Sequence, residues 1–108
     1  MSKESNLVSL NFPEFDFYTF LLRVVVAMSQ SGMSHYDLAY HTTLSHSTIA
    51  RIMSRRSKNM YIGTVARIAK ALGVSTDFLI GQREARTKRE KGIDEEVYDY
   101  QKWSRKRA

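Results

Sequence analysis

What most constrains this chain is its punctuation. Glycines at positions 32, 73 and 81 and hydroxyl residues at 34, 45, 75 and 76 divide runs of apolar residues spaced by three and four. A glycine past the last turn accepts the left-handed backbone that ends a helix, and a Ser or Thr ahead of the first turn accepts its orphan N–H groups. Phe17, Leu21, Val24 and Met28 predict a first helix over 14–31, opened by Pro13, whose missing N–H costs nothing in a first turn, and closed by Gly32. Ser34 caps a second helix over 34–42, with Asp37 three residues on as a weaker capping box and Leu38 and Ala39 facing inward. Ser45 opens a third, ending near Met53, with Ile49 and Ile52 buried. Ile62, Val65, Ile68, Ala69 and Leu72 mark a fourth, which Gly73 stops, and Ser75 or Thr76 caps a short fifth holding Phe78, Leu79 and Ile80. Ile93, Val97, Tyr100 and Trp103 or Ser104 form one stripe of a sixth, with acids early and bases late as the helix dipole favours. No run alternates as a strand would and no internal repeat is visible, so the fold class is all-α.

At 108 residues one small domain is expected. It divides into a flexible N-terminal arm at 1–12, a helical body at 13–81, and a charged linker with a C-terminal amphipathic helix at 82–108. Within the last part, 82–91 reads either as partly helical, with Glu84 and Lys88 in the favourable order, or as linker. The absence of cysteine excludes disulfides, iron–sulfur clusters and thiolate zinc sites. The most apolar window, 17–28, carries Arg23 and falls well short of the roughly 20 residues a membrane span needs. The N-terminus lacks a signal-peptide layout. A soluble, cytoplasmic, nucleoid-associated protein is expected.

The formal charge is +6, and its distribution says more than its size. Between Asp37 and Asp77 there is no acid, yet that interval holds Arg51, Arg55, Arg56, Lys58, Arg67 and Lys70. Elsewhere the remaining Lys and Arg equal the Asp and Glu in number, so the whole excess is central. A solvated face usually mixes both signs, whereas a segregated basic segment suits a polyanion, here nucleic acid.

Residues 32–81 resemble the Cro and phage-repressor (XRE-type, lambda-repressor-like) helix-turn-helix family, through GMSHYDLA at 32–39, LSHSTIARI at 44–52 and VARIAKALGVSTDFLIG at 65–81. The resemblance implies a five-helix domain, here with an extended first helix and an additional C-terminal helix. Its third helix would enter the major groove while the second crosses the backbone. Carried over by position, His46, Ser47, Thr48 and Arg51 fall where the family reads bases. Their chemistry agrees: Arg51 can donate two bonds to guanine O6 and N7, and imidazole and hydroxyl groups can donate or accept. His35, at the start of the second helix, falls where the family contacts phosphate, and Thr43, in the turn after that helix, is a second phosphate-contacting candidate. Arg55, Arg56, Ser57, Lys58 and Asn59 form a polar loop suited to gripping phosphates.

Three departures from the family pattern stand out. Thr43 occupies a turn position usually held by glycine. Met28 and Met53 replace an Arg and a Glu that often pair, which predicts that the two thioethers meet. Tyr18, Leu22, Val25 and Val26 make the outer face of the first helix apolar, so it must be covered on a second side. The sixth helix, with Ile93, Val97, Tyr100 and Trp103, is the surface available, either folding back within the chain or packing across a dimer. Family precedent implies homodimers on two-fold operators, so these eight residues are the interface candidates.

His35, His41 and His46 do not share one helical face and no Cys completes a set, so no metal and no cofactor is expected. Tyr36 and Tyr40 read as packing or surface. The basic segment offers no carboxylate base and no phosphate-cradling glycine loop, so an enzyme is not expected. The reading is a sequence-specific double-stranded-DNA-binding regulator, a dimeric repressor. The alternative is a helix-turn-helix module of antitoxin or antirepressor type that binds a regulatory protein partner, with DNA binding secondary or lost.

Overall fold

The computed structural model describes residues 16–54 and 61–107, with side chains through 103; the arm at 1–12, Pro13 and Glu14 and the loop at 55–59 lie outside the described residues. Among the described residues six helices follow one another: α1 (Phe17–Gln30), α2 (His35–Thr42), α3 (His46–Met53), α4 (Ile62–Leu72), α5 (Thr76–Leu79) and α6 (Lys88–Arg107). The all-α expectation holds.

The helix ends obey local chemistry. Asp16 is extended, and its carboxylate accepts the N–H groups of Tyr18 and Thr19. The described helix α1 therefore starts at Phe17 rather than at 14, because a carboxylate just ahead of the turn satisfies orphan donors. Gly32, with φ +64°, closes it, and the Met33 N–H returns to the Met28 carbonyl at 2.9 Å. Ser34 and Asp37 form a complete capping box, each side chain accepting the other's backbone N–H. Ser45 Oγ accepts the Thr48 N–H, and of the two hydroxyls offered for α5 it is Ser75 that caps, accepting from Phe78.

The core joins Phe20, Val24 and Met28 of α1 to Leu38, Ile49, Ile52, Val65, Ile68, Leu72, Phe78 and Leu79. Met28 and Met53 line one shallow cleft together with Val25, Ser29, Met33 and His35. The place of the family's ion pair is thus occupied by apolar side chains without a stranded charge.

The second cover of α1 comes from the same chain. Helix α6 folds back along α1, burying Ile93 and Val97 in the common core. Those two interface candidates are therefore consumed within the chain, a correction that follows from their stripe facing α1. Tyr100 and Trp103 remain about half exposed, as do Tyr18 and Val25, with Leu22 and Val26 half-buried between.

The charged run before α6 differs from expectation. The helix begins at Lys88, so Glu84 precedes it and cannot form the helical pair with Lys88. The start is set by a second capping box: Thr87 Oγ1 accepts the Glu90 N–H and Glu90 Oε1 accepts the Thr87 N–H. Glu90 is 1 % exposed. Its carboxylate also accepts from the Ser75 and Arg86 N–H groups and from both terminal nitrogens of Arg83, at 2.8 and 3.0 Å. Burial alone would push this carboxyl up, but the bonds from Arg83 and from the three backbone N–H groups outweigh it and hold the pKa at about 2. Arg23 completes the attachment. It grips Asp94 of α6 through two parallel bonds of 2.9 and 3.1 Å, donates to the Phe78 carbonyl, and lies 4.1 Å over the Phe78 ring centre.

Candidate nucleic-acid interface

Helices α2 and α3 owe their relative placement to the turn between them. Thr42 is 2 % exposed, and its hydroxyl donates to the Leu38 carbonyl while accepting the Leu44 N–H. Thr43 then takes the left-handed conformation, φ 59° and ψ 20°, the one non-glycine residue with positive φ among those described. The chain adopts the glycine-like backbone with a β-branched residue, at a cost of order 1 kcal/mol.

Burial of Ile49 and Ile52 decides which side of α3 meets solvent. His46, Ser47 and Arg51 are exposed on the other side, as their positions predict, and Ala50 and Thr48 are half-buried. Thr48 differs in its surroundings: its hydroxyl lies 2.8 Å from Ser45 Oγ, so it is drawn into the helix cap. His35 and Thr43 are exposed, and so are Arg67 and Lys70 from the acid-free interval. Asp37, at the edge of that interval, is held below the usual carboxylate range by the backbone and side-chain bonds from Ser34. Arg55, Arg56, Ser57, Lys58 and Asn59 lie outside the described residues.

A three-ring cluster joins the helix starts. The Tyr36 ring stacks on His46 with centroids 4.1 Å apart and planes 14° from parallel, and the His35 ring lies 6.4 Å from His46. Tyr36 is 71 % exposed and Tyr40 80 %, so the surface reading of both holds, but the pairing of Tyr36 with a candidate base-reading side chain was not foreseen. No pattern along one helix signals it, since the partners sit on different helices. His41 stands apart, edge-on to Tyr40. Among the described residues no three metal-ligating side chains come together.

The helix pair, its tight turn and its exposed second member match, over residues 23–80, the family model of the Cro/C1-type helix-turn-helix DNA-binding domain. The match covers more than half of the chain. The chain belongs to the Cro/C1-type family. No curated protein and no solved structure matches it. As a Cro/C1-type domain it is a DNA-binding regulator in general kind, and family membership is of a non-enzymatic sort. Helix α6 lies wholly beyond the matched stretch, so this Cro/C1-type domain carries an addition that its family model does not describe. Among the described residues no helix is long and apolar enough to cross a membrane.

Proposed function

We propose that the protein is a sequence-specific double-stranded-DNA-binding transcriptional regulator of the cytoplasm and nucleoid, a dimeric repressor that occupies an inverted-repeat operator. The observation that carries this is the exposed face of α3, where His46, Ser47 and Arg51 stand opposite buried Ile49 and Ile52 within an interval free of acids. Helix α3 enters the major groove, with Arg51 and His46 reading base edges and Ser47 and Thr48 assisting. His35 and Thr43 hold phosphate at the start and end of α2, and Arg55, Arg56, Ser57, Lys58 and Asn59 extend that grip. Half-sites stand about one helical turn, roughly 34 Å, apart.

The homodimer uses the surface where α1 and α6 meet. Leu22, Val25, Val26 and Tyr100 line a cleft of about 240 Å³ there, and a monomer gains nothing by leaving such a patch wet. The same apolar surface motivates the second reading, an antitoxin- or antirepressor-type module whose main partner is another protein.

Selection from a random DNA pool, followed by binding of Arg51→Ala and Lys58→Ala variants, tests the assignment. Arg51→Ala should cost about 1–3 kcal/mol on the selected operator and relax one base preference, whereas Lys58→Ala should weaken all sequences and lower the salt slope. Equal losses for Arg51→Ala on operator and random DNA would contradict base reading. Light scattering during gel filtration separates the two readings: a homodimer supports the repressor, and a monomer that forms a complex with a second protein supports the module.

A further inference from the structure

We infer that Tyr36 is a positioning residue for His46, fixing the plane of the imidazole and thereby the direction in which it reads a base edge. The inference rests on the proposed DNA-binding role of α3.

Three observations converge on it. His46 is the first residue of α3, exposed, with none of its own helix ahead of it to confine the ring. The last side-chain torsion of a histidine is broad, so an exposed ring in such a place samples many orientations. Tyr36 supplies the missing wall: its ring stacks on one imidazole face, with centroids 4.1 Å apart and planes 14° from parallel. The His35 ring, 6.4 Å away and tilted by 44°, is too far and too tilted to replace it.

The chemistry of imidazole gives that wall its consequence. Both ring nitrogens hydrogen-bond in the plane of the ring, so a partner that lies flat on one face leaves the nitrogens open and fixes where they can aim. A base edge in the major groove likewise presents its donors and acceptors in the base plane. Holding the imidazole plane before encounter removes an ordering cost that would otherwise fall on the complex.

Packing does not explain Tyr36 equally well. At 71 % exposed it contributes little to the core, and no hydrogen bond ties its hydroxyl to a described residue. What it touches in a defined geometry is His46. The rest of its ring is surface.

The test compares Tyr36→Phe and Tyr36→Ala by nuclear magnetic resonance and by binding to the selected operator and to random DNA. In the free protein the His46 ring protons should be shifted upfield by the Tyr36 ring current, should stay so in Tyr36→Phe, and should move toward random-coil values in Tyr36→Ala. The operator-to-random affinity ratio should be unchanged in Tyr36→Phe and fall about two- to tenfold in Tyr36→Ala, the range that aromatic pairs span. In a His46→Ala background, Tyr36→Ala should cost nothing further in that ratio. An unchanged ratio in Tyr36→Ala, or a loss that persists without His46, overturns the positioning role while leaving the DNA-binding reading intact. A wild-type protein with no preferred sequence overturns that reading and this one together, even if the ring-current shift is present.

Discussion

Glu90 offers the sharpest quantitative test of how the sixth helix is attached. Five donors converge on a carboxylate that is 1 % exposed: both terminal nitrogens of Arg83 and the N–H groups of Ser75, Arg86 and Thr87. The folded pKa of about 2 lies below the ordinary value of 4.5. Because the folded value is depressed, the stabilisation is fully present above pH 4.5 and is lost as pH falls toward 2. A difference of that size corresponds to about 3 kcal/mol, at 1.36 kcal/mol per pH unit. Glu90→Gln keeps the shape and one acceptor oxygen but sets an amide NH2 against the donors of Arg83. A loss of about 2–4 kcal/mol at pH 7 is expected, since breaking one side of a buried pair strands the other. Urea unfolding followed by circular dichroism, run from pH 7 to pH 2, reads both quantities. Wild-type stability should fall more steeply than that of Glu90→Gln between pH 4.5 and 2, so that the two curves converge at acid pH. Asp16 and Asp37 also have lowered pKa values, but they titrate in both proteins and cancel in the difference. Parallel curves, or a loss below about 1 kcal/mol at neutral pH, would refute the account of Glu90 as a buried anion held by five donors.

Thr43→Gly should raise stability by about 1 kcal/mol in the same urea assay, because the left-handed backbone at φ 59° penalises a Cβ; destabilisation would mean that the Thr43 hydroxyl bond to the Thr42 carbonyl matters more than the strain. Gly92, inside α6 with no atom beyond its own helix's nearby backbone and chain neighbours within 4 Å of where a Cβ would stand, should gain about 0.5–1 kcal/mol on replacement by Ala. Arg89→Ala removes bonds to the Leu72 carbonyl at 2.6 Å and to Ser31 Oγ at 2.8 Å, and should lower Tm by roughly 8–16 °C in calorimetry, the equivalent of about 2 kcal/mol. Val25→Glu should halve the mass measured by light scattering if the α1 surface forms the proposed dimer, leaving helix content unchanged, because Val25 is 47 % exposed.

The helix-turn-helix was legible because its signals are local. Ser34, Ser45 and Ser75 each cap a helix within three residues, and Ile49 with Ile52 decide by themselves which side of α3 is left for His46, Ser47 and Arg51. The start of α6 was hidden for the opposite reason. Reading 82–91 as a charged run treats every charge as solvated, whereas Arg83, Arg89 and Glu90 find partners on other helices and are drawn inward. The Thr87 to Glu90 spacing did carry a capping-box signal, masked by the charges around it. Whether the apolar stripe of α6 would close on its own α1 or on another copy could not be settled from periodicity, which gives a face but not its partner. The Tyr36 stack escaped for a related reason, since it lies ten positions before His46 with a turn between.

Arg89 reaches two helix ends at once: it donates to Leu72 at the close of α4, and to Ala27 and Ser31 at the close of α1. Lifting α6 away would therefore uncap two helices in one event and expose its own buried Ile93 and Val97 as well. A fragment trimmed to residues 23–80, the stretch the family model spans, would begin inside α1 and lack that guanidinium altogether. Anyone isolating the DNA-binding portion should keep the chain through α6. The boundary of kinship and the boundary of the buried core fall at different places in this protein.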